Sequence, residues 1–181
     1  MTANFLKERR IHIIQGEYFV ADDPGVMLTT VLGSCVAACL RDPEAQVGGM
    51  NHFLLPDYSD RSDRADTERY GVHLMELLVN GLMQRGARRE RLQAKLFGGA
   101  RIMQGLSDIG AHNATFAERF LATEGIALIG GSLRGDCGRR IQYWPVSGRA
   151  RQIFVKSDAI DPSTARSVPP SHTGSGDIEL F

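Results

Sequence analysis

The chain carries no surplus of either charge: 21 lysines and arginines balance 21 aspartates and glutamates. With that balance, nothing in the composition points to nucleic acid or to an anionic membrane surface. No apolar run approaches the ~20 residues that cross a bilayer. Residues 1–10 lack the apolar core and small-residue cleavage site of a secretion signal. Membrane insertion is therefore not expected, and the chain is read as cytoplasmic. Cysteine is scarce: Cys35, Cys39 and Cys137 make an odd count, too small for a disulfide framework, and free thiols are expected. The glycine pairs Gly98-Gly99 and Gly130-Gly131 match neither a P-loop nor a dinucleotide fingerprint and are read as tight turns.

What is present is ordinary globular chain, 43% hydrophobic and 23% charged over 181 residues, enough for one domain with a sizeable core. Residues 11–20 are β-branched and aromatic, with Gly16 as a bulge or bend. Asp22, Asp23, Pro24 and Gly25 form a turn, and residues 26–32 a second strand. Residues 36–40 and 47–55 are the arms of a hairpin, followed by a polar loop over 57–66. From about residue 67 to 85 the apolar period lengthens towards 3.6, with Val72, Met75, Leu78 and Leu82 on the stripe and Leu74 and Leu77 beside it. A second helix is expected over 111–123, and short strands over 92–97, 126–129, 141–146 and 152–156. Arg85, Arg88, Arg89 and Arg91 are read as a solvated helix end. Beyond residue 157 the chain is rich in serine, proline and glycine, so 157–181 is expected to be a mostly disordered tail after a domain of 1–156. Strands and helices in separate blocks predict an α+β fold: a layered α/β sandwich with mostly antiparallel strands and two main helices.

The hairpin carries the chemistry. Cys35 precedes one arm and His52 lies in the other, with the polar break 42–46 between them. If the turn centres between Pro43 and Glu44, Asp42 faces Ala45 and Arg41 faces Gln46, and the ladder continued puts Cys35 opposite His52. Opposed side chains share a face, with Cβ atoms about 4.5–5.5 Å apart. The inference depends on register, since a shift of the turn would move the pair apart. An imidazole so placed takes the thiol proton, generating the nucleophilic thiolate, and returns a proton to a leaving amine. A third group usually orients the imidazole, and Thr29 and Thr30 on the preceding strand are the nearby candidates. Backbone N–H groups near Gly33 and Ser34 could hold an oxyanion.

An inert buried thiol and a hydrogen-bonded core histidine would use the same residue types, so composition alone leaves both readings open. A metal shared by Cys35, Cys39 and His52 is disfavoured, because in this register Cys39 faces Gly48, ~13 Å along the strand from His52. His12, His73, His112 and His172 are read as structural or solvated, and Cys137 as an exposed loop thiol. No metal or cofactor is called for.

Several segments resemble those of the bacterial chemoreceptor glutamine deamidases, the CheD family. They are Leu32-Gly-Ser-Cys-Val-Ala-Ala-Cys-Leu-Arg-Asp-Pro43, Gly48-Gly-Met-Asn-His-Phe-Leu-Leu-Pro56, Lys95-Leu-Phe-Gly-Gly-Ala100, Ile109-Gly-Ala-His-Asn113 and Gly125-Ile126. Gly131-Ser-Leu-Arg-Gly-Asp-Cys-Gly138 departs from the Asp-Leu-Gly-Gly-like stretch expected there. The resemblance, from about residue 12 to 156, implies Cys35 as nucleophile, His52 as general base and Thr29 as supporting residue. It implies hydrolysis of glutamine side-chain amides on methyl-accepting chemotaxis receptors, with ammonia released, and in some members hydrolysis of glutamyl methyl esters. The implied fold is similar to the catalytic domain of cytotoxic necrotizing toxins, and the implied partners are the receptors and a CheC-like phosphatase. A non-catalytic adaptor and a cysteine protease are the competing functions.

Overall fold

The apolar stretch 11–20 does not continue as one strand. Gly16 has φ +88°, a backbone state that side chains resist, and there the chain passes from one sheet to another. The computed structural model describes residues 8–56, 61–102, 108–155 and 178–181, with backbone alone for 61–64 and 178–179. Strands β1 (Arg9–His12), β3 (Val26–Leu32), β8 (Gly138–Trp144), β9 (Arg149–Val155) and β10 (Ile178–Leu180) form one sheet in that order. The second sheet runs β2 (Tyr18–Ala21), β5 (Val47–Asn51), β4 (Val36–Asp42), β6 (Gln93–Gly98) and β7 (Ala127–Leu133). Among the described residues only β1–β3 and β6–β7 are parallel; the other pairings are antiparallel.

Helices α1 (Arg61–Gln84) and α2 (Ile109–Glu124) cover one face of the second sheet, and the first sheet covers the other. The layers are thus helix, sheet, sheet, the expected α+β sandwich. β4 is the middle of the stack. Val36, Ala38 and Leu40 pack with the helices, while Ala37 and Cys39 pack with Leu28, Leu32, Phe97 and Ile141 between the sheets. A strand buried on both faces needs apolar residues at every position, as residues 36–40 supply.

Several boundaries differ from the sequence-based expectation. α1 starts at Arg61, so residues 61–66 are helical where a polar loop was expected. Its inward stripe runs through Gly71, Leu74, Met75, Leu78, Val79 and Leu82, while Val72 is 43% exposed. Gly71 holds the contact position because a Cβ there would come within 2.6 Å of Phe116 and 2.7 Å of Leu55. Asp108 caps α2 by accepting from the Ala111 amide at 2.9 Å, and Gly125 ends it in the left-handed conformation. Gly130 and Gly131 lie within β7 rather than in a turn; at Gly131 a Cβ would meet the Leu96 carbonyl at 2.0 Å. The C-terminus also departs from a tail disordered to its end. β10 pairs with β9, and Phe181 packs edge-on against Phe97 with ring centroids 5.6 Å apart. The rest of the expected tail, 157–177, lies outside the described residues.

The arginines after α1 brace the fold rather than simply meeting solvent. Arg89 pairs with Glu76 and Glu124, Arg85 with Asp22, and Arg91 with Asp42 and Glu44. Asp42, fully buried at the hairpin turn, accepts from the amides of Glu44, Ala45 and Arg88 and from the Arg91 guanidinium. Burial alone would push its carboxyl up, but Arg91 and the three amides hold it down at about 2. A carboxyl depressed in the folded state stabilises at pH above its unfolded value of ~3.9, and the contribution is lost as pH falls towards 2. Asp42→Asn is therefore expected to cost about 2 kcal/mol at pH 7 and to remove much of the acid sensitivity between pH 4 and 2. Urea unfolding across that range checks both; an unchanged acid limb would reject the assignment.

Candidate active site

The hairpin turn is one residue further along than the sequence predicts. Asp42 pairs with Val47, Leu40 with Gly49, Cys39 with Met50, and Val36 with Phe53. The turn therefore centres between Glu44 and Ala45, with Gln46 at φ 53°. Moving the centre by one whole residue changes every partner by two, which preserves the face. Cys35 and His52 consequently stay on the inter-sheet face as diagonal neighbours instead of opposed ones, and Cys39 faces Met50, not Gly48. Near His52 the ladder opens: the Asn51 side chain, not a main-chain carbonyl, accepts from the Ala38 amide at 3.0 Å. That leaves His52 held mainly by segment 13–17. Its amide donates to Glu17 O at 3.0 Å, and its carbonyl accepts from Gly16 N at 2.7 Å.

The threonine that meets His52 is Thr30, whereas the resemblance implies Thr29. On β3, Leu28, Thr30 and Leu32 face the second sheet, and the pleat turns Thr29 the other way. Thr29 Oγ1 donates to Ile141 O at 2.7 Å. Thr30 Oγ1 donates to Ile13 O at 2.7 Å and lies 2.8 Å from His52 Nδ1. Those two contacts determine the imidazole tautomer. The Thr30 proton is committed to Ile13 O, a carbonyl that can only accept and that itself lies 3.4 Å from Nδ1. Nδ1 must therefore carry the proton and donate to Thr30 Oγ1. Nε2 is left as the basic lone pair, buried and without a hydrogen-bond partner among the described residues.

Burial pushes the His52 pKa down, an effect the Ile13 carbonyl opposes and nearby His12 reinforces. Burial pushes the half-buried Cys35 thiol up, opposed by its own backbone amide. At rest both groups are therefore neutral. The thiol contacts Gln15 Oε1 at 3.8 Å. A crevice lined by Gly16, Glu17, Tyr18, Asn51, Phe53 and, from α1, Leu74 and Leu77 reaches His52 but has no room for water.

Cys35 is fixed from below by the segment after β6. Its carbonyl accepts from Gly99 N at 2.8 Å, and that of Gly33 accepts from Ala100 N at 2.9 Å. A Cβ at Gly98, φ +104°, would sit 2.1 Å from Cys35 O. Gly98-Gly99, expected as a tight turn, instead ends β6, with both glycines at positive φ, and the absence of a Cβ at Gly98 allows this close approach.

The other thiols and imidazoles stand apart. Cys39 is buried between the sheets with its thiol pushed far up by burial, and Cys137 is exposed. His73 is exposed on α1 and His112 lies on α2, whereas His172 falls outside the described residues. Among the described residues no three His, Cys, Asp or Glu side chains converge as a metal site, and no helix is long and apolar enough to cross a membrane.

The family model described as CheD chemotactic sensory transduction matches residues 54–153, more than half of the chain. The chain belongs to the CheD family. A relative from Caulobacter sp. (strain K31), named "Probable chemoreceptor glutamine deamidase CheD", is 55% identical over 95% of this chain and 93% of its own length. Relatives with the same name from Acidiphilium cryptum (strain JF-5) and Rhizobium johnstonii are 58% and 61% identical, covering 96% of this chain and 94% and 96% of their own lengths. Among solved structures, Bacillus licheniformis YfiH aligns with TM-score 0.42 and 11% identity over 72% of this chain and 61% of that one. That likeness is too slight to bear on the chemistry.

Of the site residues of this CheD chain, the sequence points to Cys35 and His52 but not to Ile13 or Gln15, which carry no motif of their own. Long-range proton–nitrogen NMR of His52 is expected to show the Nδ1–H tautomer, titrating below an ordinary histidine. An Nε2–H tautomer at neutral pH would contradict the assignment.

Proposed function

We propose that the chain hydrolyses glutamine side-chain amides of chemoreceptors, with Cys35 as nucleophile, His52 as base and Thr30 as the residue that orients it. The observation that carries this is the buried, unpartnered Nε2 of His52, fixed by the Ile13–Thr30 network on the same face as a half-buried thiol. A nitrogen lone pair kept from other donors is available for the thiol proton when substrate closes over the site.

The steps follow from these atoms. Cys35 Sγ passes its proton to His52 Nε2 and attacks the amide carbon, whose oxygen takes the negative charge. The carbon–nitrogen bond breaks as Nε2 returns the proton to the departing nitrogen, releasing ammonia and leaving a glutamyl thioester. Water, deprotonated by Nε2, attacks the thioester; glutamate leaves and the thiol is restored. A glutamyl methyl ester can enter by the same route with methanol as leaving group, so methylesterase activity belongs to the proposal. Each conversion adds a negative charge to a receptor helix, able to alter its packing against neighbours. The substrate is a side chain presented on a folded coiled coil, to which the partly exposed Cys35 thiol is open. Such a substrate places the chain in the cytoplasm, with the catalytic unit within 1–156 and the last residues closing a sheet edge. Association with a CheC-like phosphatase is a further part of this reading, supported by family membership.

Incubation with a receptor cytoplasmic domain and mass spectrometry of its glutamines tests the function. Wild type should convert specific glutamines to glutamate and Cys35→Ala none; no conversion by either favours an adaptor, and backbone cleavage a protease. Thr30→Val should lower kcat by about tenfold or more, while Thr29→Val should stay within about threefold of wild type. The reverse order would restore Thr29 to the triad.

A further inference from the structure

Asn113 on α2 is a fully buried polar side chain. Its Oδ1 accepts from Leu55 N at 3.0 Å and its Nδ2 donates to Ser34 O at 2.9 Å. The amide orientation is fixed, because Leu55 N–H can only donate and Ser34 C=O can only accept. One side chain thus ties the loop before Cys35 to the strand after His52.

The three carbonyls of Gly33, Ser34 and Cys35 are all taken, by Ala100 N, Asn113 Nδ2 and Gly99 N. In a trans peptide the N–H points away from the C=O across the plane. Holding the Ser34 carbonyl against α2 therefore aims the Cys35 N–H away from α2. That amide lies close enough to its own thiol to steady the thiolate. Among the described residues, neither the Ser34 nor the Cys35 amide donates to any other group. Two adjacent unengaged N–H groups beside a nucleophile have the form of an oxyanion site. Gly33 and Cys35 are held by backbone donors, so the orientation of the Cys35 amide rests on one replaceable side chain.

We infer that Asn113 is a positioning residue which, by holding the Ser34 carbonyl, presents the Cys35 amide N–H to the oxyanion formed at the thiol. The inference rests on the deamidase reading for its chemistry, but its geometry is independent of the substrate. It also explains a requirement on α2: a Cβ on Gly110 would meet Ala100 O at 2.3 Å, so the close approach that lets Asn113 reach Ser34 needs glycine there.

Asn113→Asp separates the two bonds, since a carboxylate still accepts from Leu55 N but cannot donate to Ser34 O. The full chain, wild type, Asn113→Asp and Asn113→Ala, would be compared in three measurements: thermal melting, steady-state deamidation of a receptor cytoplasmic domain, and the pH dependence of iodoacetamide modification at Cys35, located by mass spectrometry. For a folded Asp variant the expected result is a kcat loss of ~10²-fold, KM within about twofold, and an alkylation midpoint moved to higher pH. A kcat within about threefold of wild type, a loss confined to KM, or an unmoved midpoint would overturn the inference. If the Asp variant does not fold, the Ala variant is judged by the same criteria; failure of both to fold would overturn it, making Asn113 a general structural element. If wild-type protein deamidates nothing, the deamidase reading fails, and the alkylation midpoint alone decides whether Asn113 positions the Cys35 amide.

Discussion

Burial of β4 on both faces is the constraint from which the rest follows. Its side chains alternate between the helices and the other sheet with no polar relief from Val36 to Leu40, so the strand can neither slide nor rotate without exposing apolar surface. The residue that precedes it, Cys35, therefore leaves a rigid element at a fixed point. Glycine-dependent contacts from the segment after β6 then hold the backbone around it. A half-buried thiol on a loop would ordinarily wander; here its carbonyl and those of the two residues before it are all bonded.

His52 is held by a different logic. It sits just past the end of β5, where the ladder with β4 has opened and an Asn51 side chain replaces a main-chain acceptor. Opposite Ala37 and beside the doubly bonded Val36–Phe53 pair, its main chain points away from β4 and bonds residues 16 and 17, and its ring is aimed by Thr30 and the Ile13 carbonyl. The proton on Thr30 can go only one way, so the whole chain of contacts has one direction and ends in a bare Nε2. This buried polar network is satisfied at Thr30 and at His52 Nδ1 and leaves Nε2 unpaired, and an unpaired buried nitrogen carries a cost in stability.

Much of this was legible in the sequence, for identifiable reasons. Apolar stretches on either side of the polar break 42–46 specify a hairpin, and the parity of Cys35 and His52 specifies a common face whichever even-numbered turn forms. The helix ends were legible where Gly125 supplies a local stop. Less legible was α1, whose inward contact at Gly71 shows no side chain to a hydrophobic pattern, and whose first turns are polar. The last four residues looked like the end of a solvated tail, because a three-residue strand completed by one phenylalanine has no periodicity to detect.

The sequence by itself determined which residue types could do chemistry, that two of them share a face, and, through its motifs, the family. Local pattern suffices for those because strand pleat and turn parity are properties of adjacent residues. Tertiary structure decided the turn position, the choice between Thr29 and Thr30, and the reach of Asn113 to Ser34. Each of these depends on how elements far apart in the chain face one another: β3 lies in a different sheet from β5, and α2 approaches the Cys35 loop only where glycine lets backbones touch. No local rule sets the relative rotation of two packed layers, so the third partner of His52 and the anchor of Ser34 emerge only once the layers are stacked.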